Sequence, residues 1–207
     1  MTAWLFPPTC LGCGALLQQP RIPALCRRCQ PTLDRLEPGT ATVNGIEACF
    51  GYQGVLATAL WRLKFRGDLS SAGPLGEAMA RASILDRGWD AWVPVPLHWT
   101  RGLRRGFNQA TELARALAAV REDAARVRPR WLYRRRAGPA VHTLPAAQRP
   151  AVVQEAFSVR RPAAVAGQRI LLLDDVTTTG ATLHACRDAL LRAGAAEIGA
   201  LALLRAL

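Results

Sequence analysis

This sequence predicts an α/β fold: a parallel sheet with flanking helices and a small four-cysteine element at its N-terminal end. Three observations carry that reading. Residues 170–173 (Ile-Leu-Leu-Leu) are apolar without alternation, which suits a strand buried on both faces. Leu183, Cys186, Leu190 and Leu191 then recur at helical spacing, Gly194 supplies a stop, and a second apolar run fills 198–204, giving a strand–helix–strand unit. Near the start, Cys10, Cys13, Cys26 and Cys29 form two C-x-x-C pairs.

The cysteine element comes first. Four thiolates in two tight turns can close a tetrahedral Zn²⁺ site, and Gly12 and Gly14 ease the first turn. Twelve residues separate the pairs, slightly fewer than in the usual zinc ribbon. Two disulfides or a redox C-x-x-C are the competing readings. The first five residues lack basic groups and a long apolar stretch, so they do not read as a secretory signal, and a cytoplasmic setting disfavours disulfides. We expect residues 1–36 to be a zinc-binding element and 37–207 the α/β domain. Cys49 and Cys186 stand alone, and Cys186 reads as core.

Residues 33–54 are rich in turn signals, with a short strand expected over 48–50. Leu56, Leu60, Trp61 and Leu63 predict a helix over 55–65, closed by Lys64 and Arg66, which suit its negative end. A second amphipathic helix is expected over 74–85, with proline near its start. Residues 92–96 (W-V-P-V-P) must be extended, because each residue before proline is driven out of the helical region. A cationic loop carrying His98, Arg101, Arg104 and Arg105 is expected next, then a helix over 107–119 with Leu113 and Leu117 inward. Arginine forks of this kind bind phosphate bidentately. A strand is expected over 131–133, followed by an irregular, proline-rich segment.

The stretch 169–182 holds the chemistry. After its apolar run come Asp174, Asp175 and Val176, then Thr177, Thr178, Thr179 and Gly180, with Ala181 and Thr182 opening the helix. Backbone N–H groups at a helix start bind anions. Gly180 lets the backbone approach a phosphate, and the threonine hydroxyls can donate to its oxygens. Two carboxylates repel phosphate but accept the protons of a vicinal diol. A ligand presenting both groups is a ribose 5-phosphate. A Walker A loop is excluded, since it needs Gly-Lys before Ser/Thr and the only lysine, Lys64, precedes Phe65.

Residues 172–182 (L-L-D-D-V-T-T-T-G-A-T) resemble the PRPP-binding motif of type I phosphoribosyltransferases. The stretch V-P-V-P-L-H-W-T-R…R-R-G-F-N-Q-A narrows the resemblance to the ComF family of competence-associated, phosphoribosyltransferase-like proteins, which also carry an N-terminal four-cysteine element. The resemblance implies a type I phosphoribosyltransferase-like fold and assigns the 5-phosphate to residues 176–182 and the ribose diol to Asp174 and Asp175. It gives pyrophosphate to Arg101, Arg104 and Arg105, with His98 as a weaker candidate, and brings Mg²⁺ with PRPP. The implied reaction displaces pyrophosphate from PRPP by a nitrogen nucleophile. In the loop expected to close over PRPP, Gly138, Val141 and Val152 stand where the family commonly has Thr, Gln and Asn. These departures weigh against turnover more than against fold or PRPP binding. The resemblance also implies a role in DNA uptake with a competence helicase.

Composition bounds the rest. No apolar run is long enough to span a membrane. Net charge is +12, and Lys64 is the single lysine among 27 basic residues. Eleven arginines face three acids between 101 and 136, a surplus that suits a polyanion: a diphosphate or nucleic acid. The alternative to an enzyme is therefore a non-catalytic protein associated with single-stranded DNA, or a scaffold, that keeps the PRPP-binding fold.

Overall fold

A computed structural model of the chain describes residues 9–18, 24–34, 36, 42–80, 82–97, 99–122, 126–135 and 156–206. His98 and the closing loop expected around Gly138, Val141 and Val152 lie outside them, as does the Arg101 side chain. The strands are β1 (Thr42–Val43), β2 (Ile46–Gly51), β3 (Ala91–Pro94), β4 (Leu132–Arg134), β5 (Phe157–Val159), β6 (Arg169–Thr177) and β7 (Glu197–Arg205). The helices are α1 (Gly54–Arg66), α2 (Ala72–Met79), α3 (Trp99–Arg105), α4 (Gln109–Val120), α5 (Pro162–Val165) and α6 (Ala181–Arg192).

Five strands form the main sheet in the order β1-β2-β7-β6-β3. β2, β7, β6 and β3 run parallel, and β1 closes one edge antiparallel. β4 and β5 make a separate antiparallel pair. β6 lies between β7 and β3, so its apolar run is covered on both faces, as its sequence requires. Leu171 and Leu173 belong to the hydrophobic cluster that holds α1, α2 and α4 residues. Ile170 and Leu172 belong to the cluster on the α6 side. Pro94, which has no N–H, is tolerated because β3 is an edge strand.

Several elements differ from the sequence expectation. β6 does not stop at the aspartates: Val176 and Thr177 continue the ladder opposite Leu204 and Arg205 of the long β7. α2 ends at Met79, and a 3-10 turn, Ser83–Arg87, replaces its expected end. That turn brings Trp89 into the core, where its indole N–H donates to the Ile84 carbonyl at 2.6 Å. The cationic loop is largely the helix α3, with Arg104 and Arg105 in its last turn, where the helix dipole favours cations. Leu191 and Trp61, expected on apolar faces, are 41% and 45% exposed. Cys186 is fully buried, as its position predicts.

α2 and α4 approach each other at Gly76, where an added Cβ would lie 2.5 Å from the Ala116 methyl and 2.7 Å from the Leu117 nitrogen. Gly73, in the same helix, has open space around it. Gly76→Val should therefore destabilise the protein by about 2–3 kcal/mol through overpacking. Gly73→Ala should be neutral or stabilising by up to about 1 kcal/mol. Thermal or urea unfolding of the pair measures the contrast.

Candidate functional site

The site lies at the carboxyl ends of β3 and β6. Three connections shape it. Val95 N–H donates to the Leu173 carbonyl at 2.8 Å, fixing the exit of β3 beside β6. Asn108 caps α4 by accepting from Ala110 N–H, and its amide donates to the Val95 carbonyl at 2.9 Å. Arg105 donates to Gln109 Oε1 at 2.5 Å, which holds the end of α3 against the start of α4. The result is a cleft of about 640 Å³ whose walls include Lys64, Phe65, Arg104, Arg105, Arg134, Asp174, Asp175 and Thr182.

Strand alternation gives the two aspartates different surroundings. Asp175 continues the Leu171–Leu173 face toward α1 and is 4% exposed. Its Oδ1 pairs with Lys64 Nζ at 3.0 Å, while its buried Oδ2 has no hydrogen-bond partner among the described residues. Asp174 continues the face toward α6, and its Oδ1 accepts the Asp175 N–H at 2.8 Å. Burial holds the Asp174 carboxyl well above the usual carboxylate range, and the Asp175 charge adds to the effect; the Asp175 N–H and the Lys64 ammonium oppose it only in part.

Behind the aspartates the chain turns into α6 through Gly180, whose φ is +80°. That left-handed backbone favours glycine, and a Cβ there would also press on the end of the Ile46 side chain, 2.3 Å from Cδ1. The N–H groups of Thr178, Thr179, Gly180, Thr182 and Leu183 have no acceptor among the described residues. Together with the dipole of a twelve-residue helix, they form a turn able to receive an anion. Thr178, Thr179 and Thr182 are exposed, whereas Thr177 is buried and Val176 packs on the core.

The fold thus brings Asp174, Asp175, Thr182, Arg104 and Arg105 into one cleft and sets Thr178 and Thr179 on the turn beside it. Sequence alone gives Lys64 a helix-end role, and its ion pair with Asp175 is visible only in the folded chain. One signal was available: this is the single lysine in a chain that otherwise uses arginine. Phe65, Gln109 and Arg134 also joined the cleft without a sequence signal.

The four-cysteine cluster is a second centre. The Sγ atoms of Cys10, Cys13, Cys26 and Cys29 lie within 4.8 Å of one another, and Cys13 and Cys26 are 3.7 Å apart. Ligands about 2.3 Å from a tetrahedral metal sit about 3.8 Å from one another, so the spacing fits metal coordination and not a disulfide. Burial opposes the Cys10 thiolate, but the N–H groups of Cys13, Cys26 and Gly12 outweigh it and bring the thiol down to about 6. Cys29 is pushed up to about 12, by burial first and then by its three cysteine neighbours. Four such sulfurs can all ionise only around a cation. Cys10, Leu11 and Leu25 share the core cluster with Val55 and Leu56 of α1. Arg62 of α1 donates to the Leu11 carbonyl, and a Cβ on Gly12 would lie 2.7 Å from Val55.

A parallel sheet with an anion-binding turn and paired carboxylates at its carboxyl edge defines a phosphoribosyltransferase-like α/β protein. A model of the phosphoribosyl transferase domain matches residues 103–207. The DNA utilization protein YhgH of Escherichia coli (strain K12) is 30% identical over 206 residues, covering 95% of this chain and 79% of that protein. The competence protein ComFC of Bacillus subtilis (strain 168) is 28% identical over 186 residues, covering 88% of this chain and 72% of that protein. A solved HPRT structure, a glutamic acid mutant at an invariant aspartic acid, aligns at 14% identity over 66% of each chain with a TM-score of 0.38. The chain belongs to the ComF family of phosphoribosyltransferase-like proteins.

Two outcomes follow from the acidic pair. Lys64→Met leaves Asp175 buried without its counter-charge and should cost about 3 kcal/mol, most of it recovered in Lys64→Met/Asp175→Asn. Chemical denaturation of the single and double variants measures this. Asp174 keeps its proton in the folded state above 3.8, the pH at which the unfolded chain has released half of it. Its contribution to stability therefore falls as pH rises through that window and stays low above the folded value. Asp174→Asn should melt higher than the parent at pH 8, with the gap closing toward pH 4; an equal gap at both pH values would contradict the assignment.

Proposed function

We propose that the cleft binds PRPP or a related ribose phosphate, in a protein serving DNA uptake or utilization. The observation that carries this is the co-location of an anion-binding turn, two carboxylates and two arginines in one cleft. The turn at 177–182 would anchor the 5-phosphate through its unpaired N–H groups and hydroxyls. Asp174 and Asp175 would accept the ribose hydroxyls. Arg104 and Arg105 would take the diphosphate, joined by Arg101 at the start of the same helix. The carboxylate pair also suits Mg²⁺ accompanying the diphosphate, which would offset leaving-group charge.

If transfer occurs, a nitrogen nucleophile displaces pyrophosphate at C1 of the ribose. This chain's contribution is then positioning and electrostatics, because an oxocarbenium-like centre needs little covalent help. The names of the relatives, a DNA utilization protein and a competence protein, support a role connected with DNA; a cytoplasmic setting and a competence helicase as partner come from the family resemblance alone. The retained turn and carboxylates also fit a protein that binds PRPP as a regulator without turning it over.

For the four-cysteine centre, we assign structural zinc. Thiolate-only coordination at this spacing suits Zn²⁺, and the core the element shares with α1 gives the metal a structural task.

Calorimetry with PRPP and Mg²⁺ tests the cleft. Asp174→Ala/Asp175→Ala should weaken PRPP roughly ten- to a hundredfold, since a hydrogen bond to a charged group contributes about 1.5–3 kcal/mol. Inorganic phosphate should bind the double variant as well as before. Arg104→Ala/Arg105→Ala should weaken PRPP and pyrophosphate more than ribose 5-phosphate. Wild-type PRPP affinity in the double aspartate variant would remove the reading, and pyrophosphate release with candidate amines separates turnover from binding.

Metal analysis tests the second centre. Protein purified under reducing conditions should hold about one equivalent of zinc. Cys10→Ser or Cys26→Ser should lower it sharply and also lower the melting temperature of the whole chain, because Cys10, Leu11 and Leu25 pack into the main core. Full zinc retention in a quadruple Cys→Ser variant would refute the assignment.

A further inference from the structure

We infer that the solvent face of α1 is a stacking platform for single-stranded nucleic acid, leading to the mouth of the cleft. The inference stands apart from PRPP binding. Trp61 and Phe65 sit one turn apart on α1, 45% and 59% exposed, with ring centroids 5.7 Å apart and planes tilted by 41°. The tilt prevents the two rings from covering each other, so apolar ring surface remains open to solvent. Neither ring is needed for the core, which α1 fills from its opposite face with Leu56, Leu60 and Leu63.

Arginine accompanies each ring. The Arg66 guanidinium lies 5.4 Å from the Trp61 ring centre, and that of Arg105 lies 5.4 Å from the Phe65 ring centre. Cations paired with planar apolar rings match a ligand whose planar bases alternate with phosphates. Charge favours that occupant over an apolar peptide. Arg66 has no carboxylate partner among the described residues. The acid nearest in sequence, Asp68, is engaged by Ser70, Ser71 and Arg62. The face therefore presents positive charge with little acid to repel a phosphate. Phe65 and Arg105 also line the cleft, so a strand on the platform reaches the cleft entrance. Single-strandedness follows from the rings: paired and stacked bases offer no open faces, whereas unpaired bases do.

Fluorescence anisotropy of the full chain with a labelled oligothymidylate of about 15 nucleotides tests this. Binding should be present at low salt and fall steeply as salt rises. Trp61→Ala and Phe65→Ala should each weaken it roughly tenfold, while Trp61→Phe keeps most of the affinity. Arg66→Ala should reduce the salt slope by about 0.7, the share of one phosphate contact, whereas Trp61→Ala leaves the slope unchanged. A duplex of equal length should not respond to Trp61→Ala. Because Trp61 is outside the cleft, Trp61→Ala should bind PRPP like the parent, so failure of either assignment can be told from failure of the other. Unchanged oligonucleotide affinity in both Trp61→Ala and Phe65→Ala would overturn the platform and leave only diffuse positive charge. Absence of binding at low salt would overturn it as well and turn the face over to a protein partner.

Discussion

The ladder of β6 between β3 and β7 is the constraint on which the site depends. Both edges of the strand are hydrogen-bonded along the apolar run, and both faces lie under side chains. A strand held in this way fixes the direction of each residue it carries. Asp174 and Asp175 ride on its far end, so their opposed orientations come from the pleat and not from a loop free to choose. Extension of the β7 ladder to Thr177 delays the turn until both carboxylates are in place. The anion-binding turn then begins at a defined distance from them. Isolated carboxylates in this setting would be costly, and the structure responds differently at each: Lys64 meets Asp175, and burial raises the Asp174 carboxyl above its usual range.

Helix α1 links three features that are remote in sequence. Its start and middle receive the cysteine element through Val55 and Arg62. Its end sends Lys64 to Asp175. Its outer surface presents Trp61 and Phe65. A thirteen-residue helix is long enough to separate these tasks around its circumference. The packing also explains why the cysteine element can be ordered despite its size. It borrows the core that α1 shares with the sheet, and a metal would then fix the turns that a few apolar residues cannot.

Much of this was legible in the sequence because the relevant signals are local. An unbroken apolar run forces a doubly covered strand, helical spacing forces an amphipathic face, and glycine at position 180 answers a left-handed backbone. The C-x-x-C pairs and the D-D-x-T-T-T-G turn are likewise short enough to stand out as local patterns. Other features depended on partners distant in sequence. Whether β6 stops at Asp174 depends on the length of β7, and whether 99–105 is loop or helix depends on how the chain crosses from β3 to α4. Trp61 and Leu191 read as core because periodicity locates a face but cannot say how wide a stripe its neighbours will cover. The Lys64–Asp175 pair joins residues over a hundred positions apart, and no local pattern encodes such a contact. Sequence by itself determined the fold class, the grouping of the four cysteines and the position of the turn after β6, since each rests on local patterns. Tertiary structure alone decided which carboxylate is paired, which arginines reach the cleft and which aromatics remain outside, because burial and ion pairing are set by whatever the folded chain places opposite each side chain.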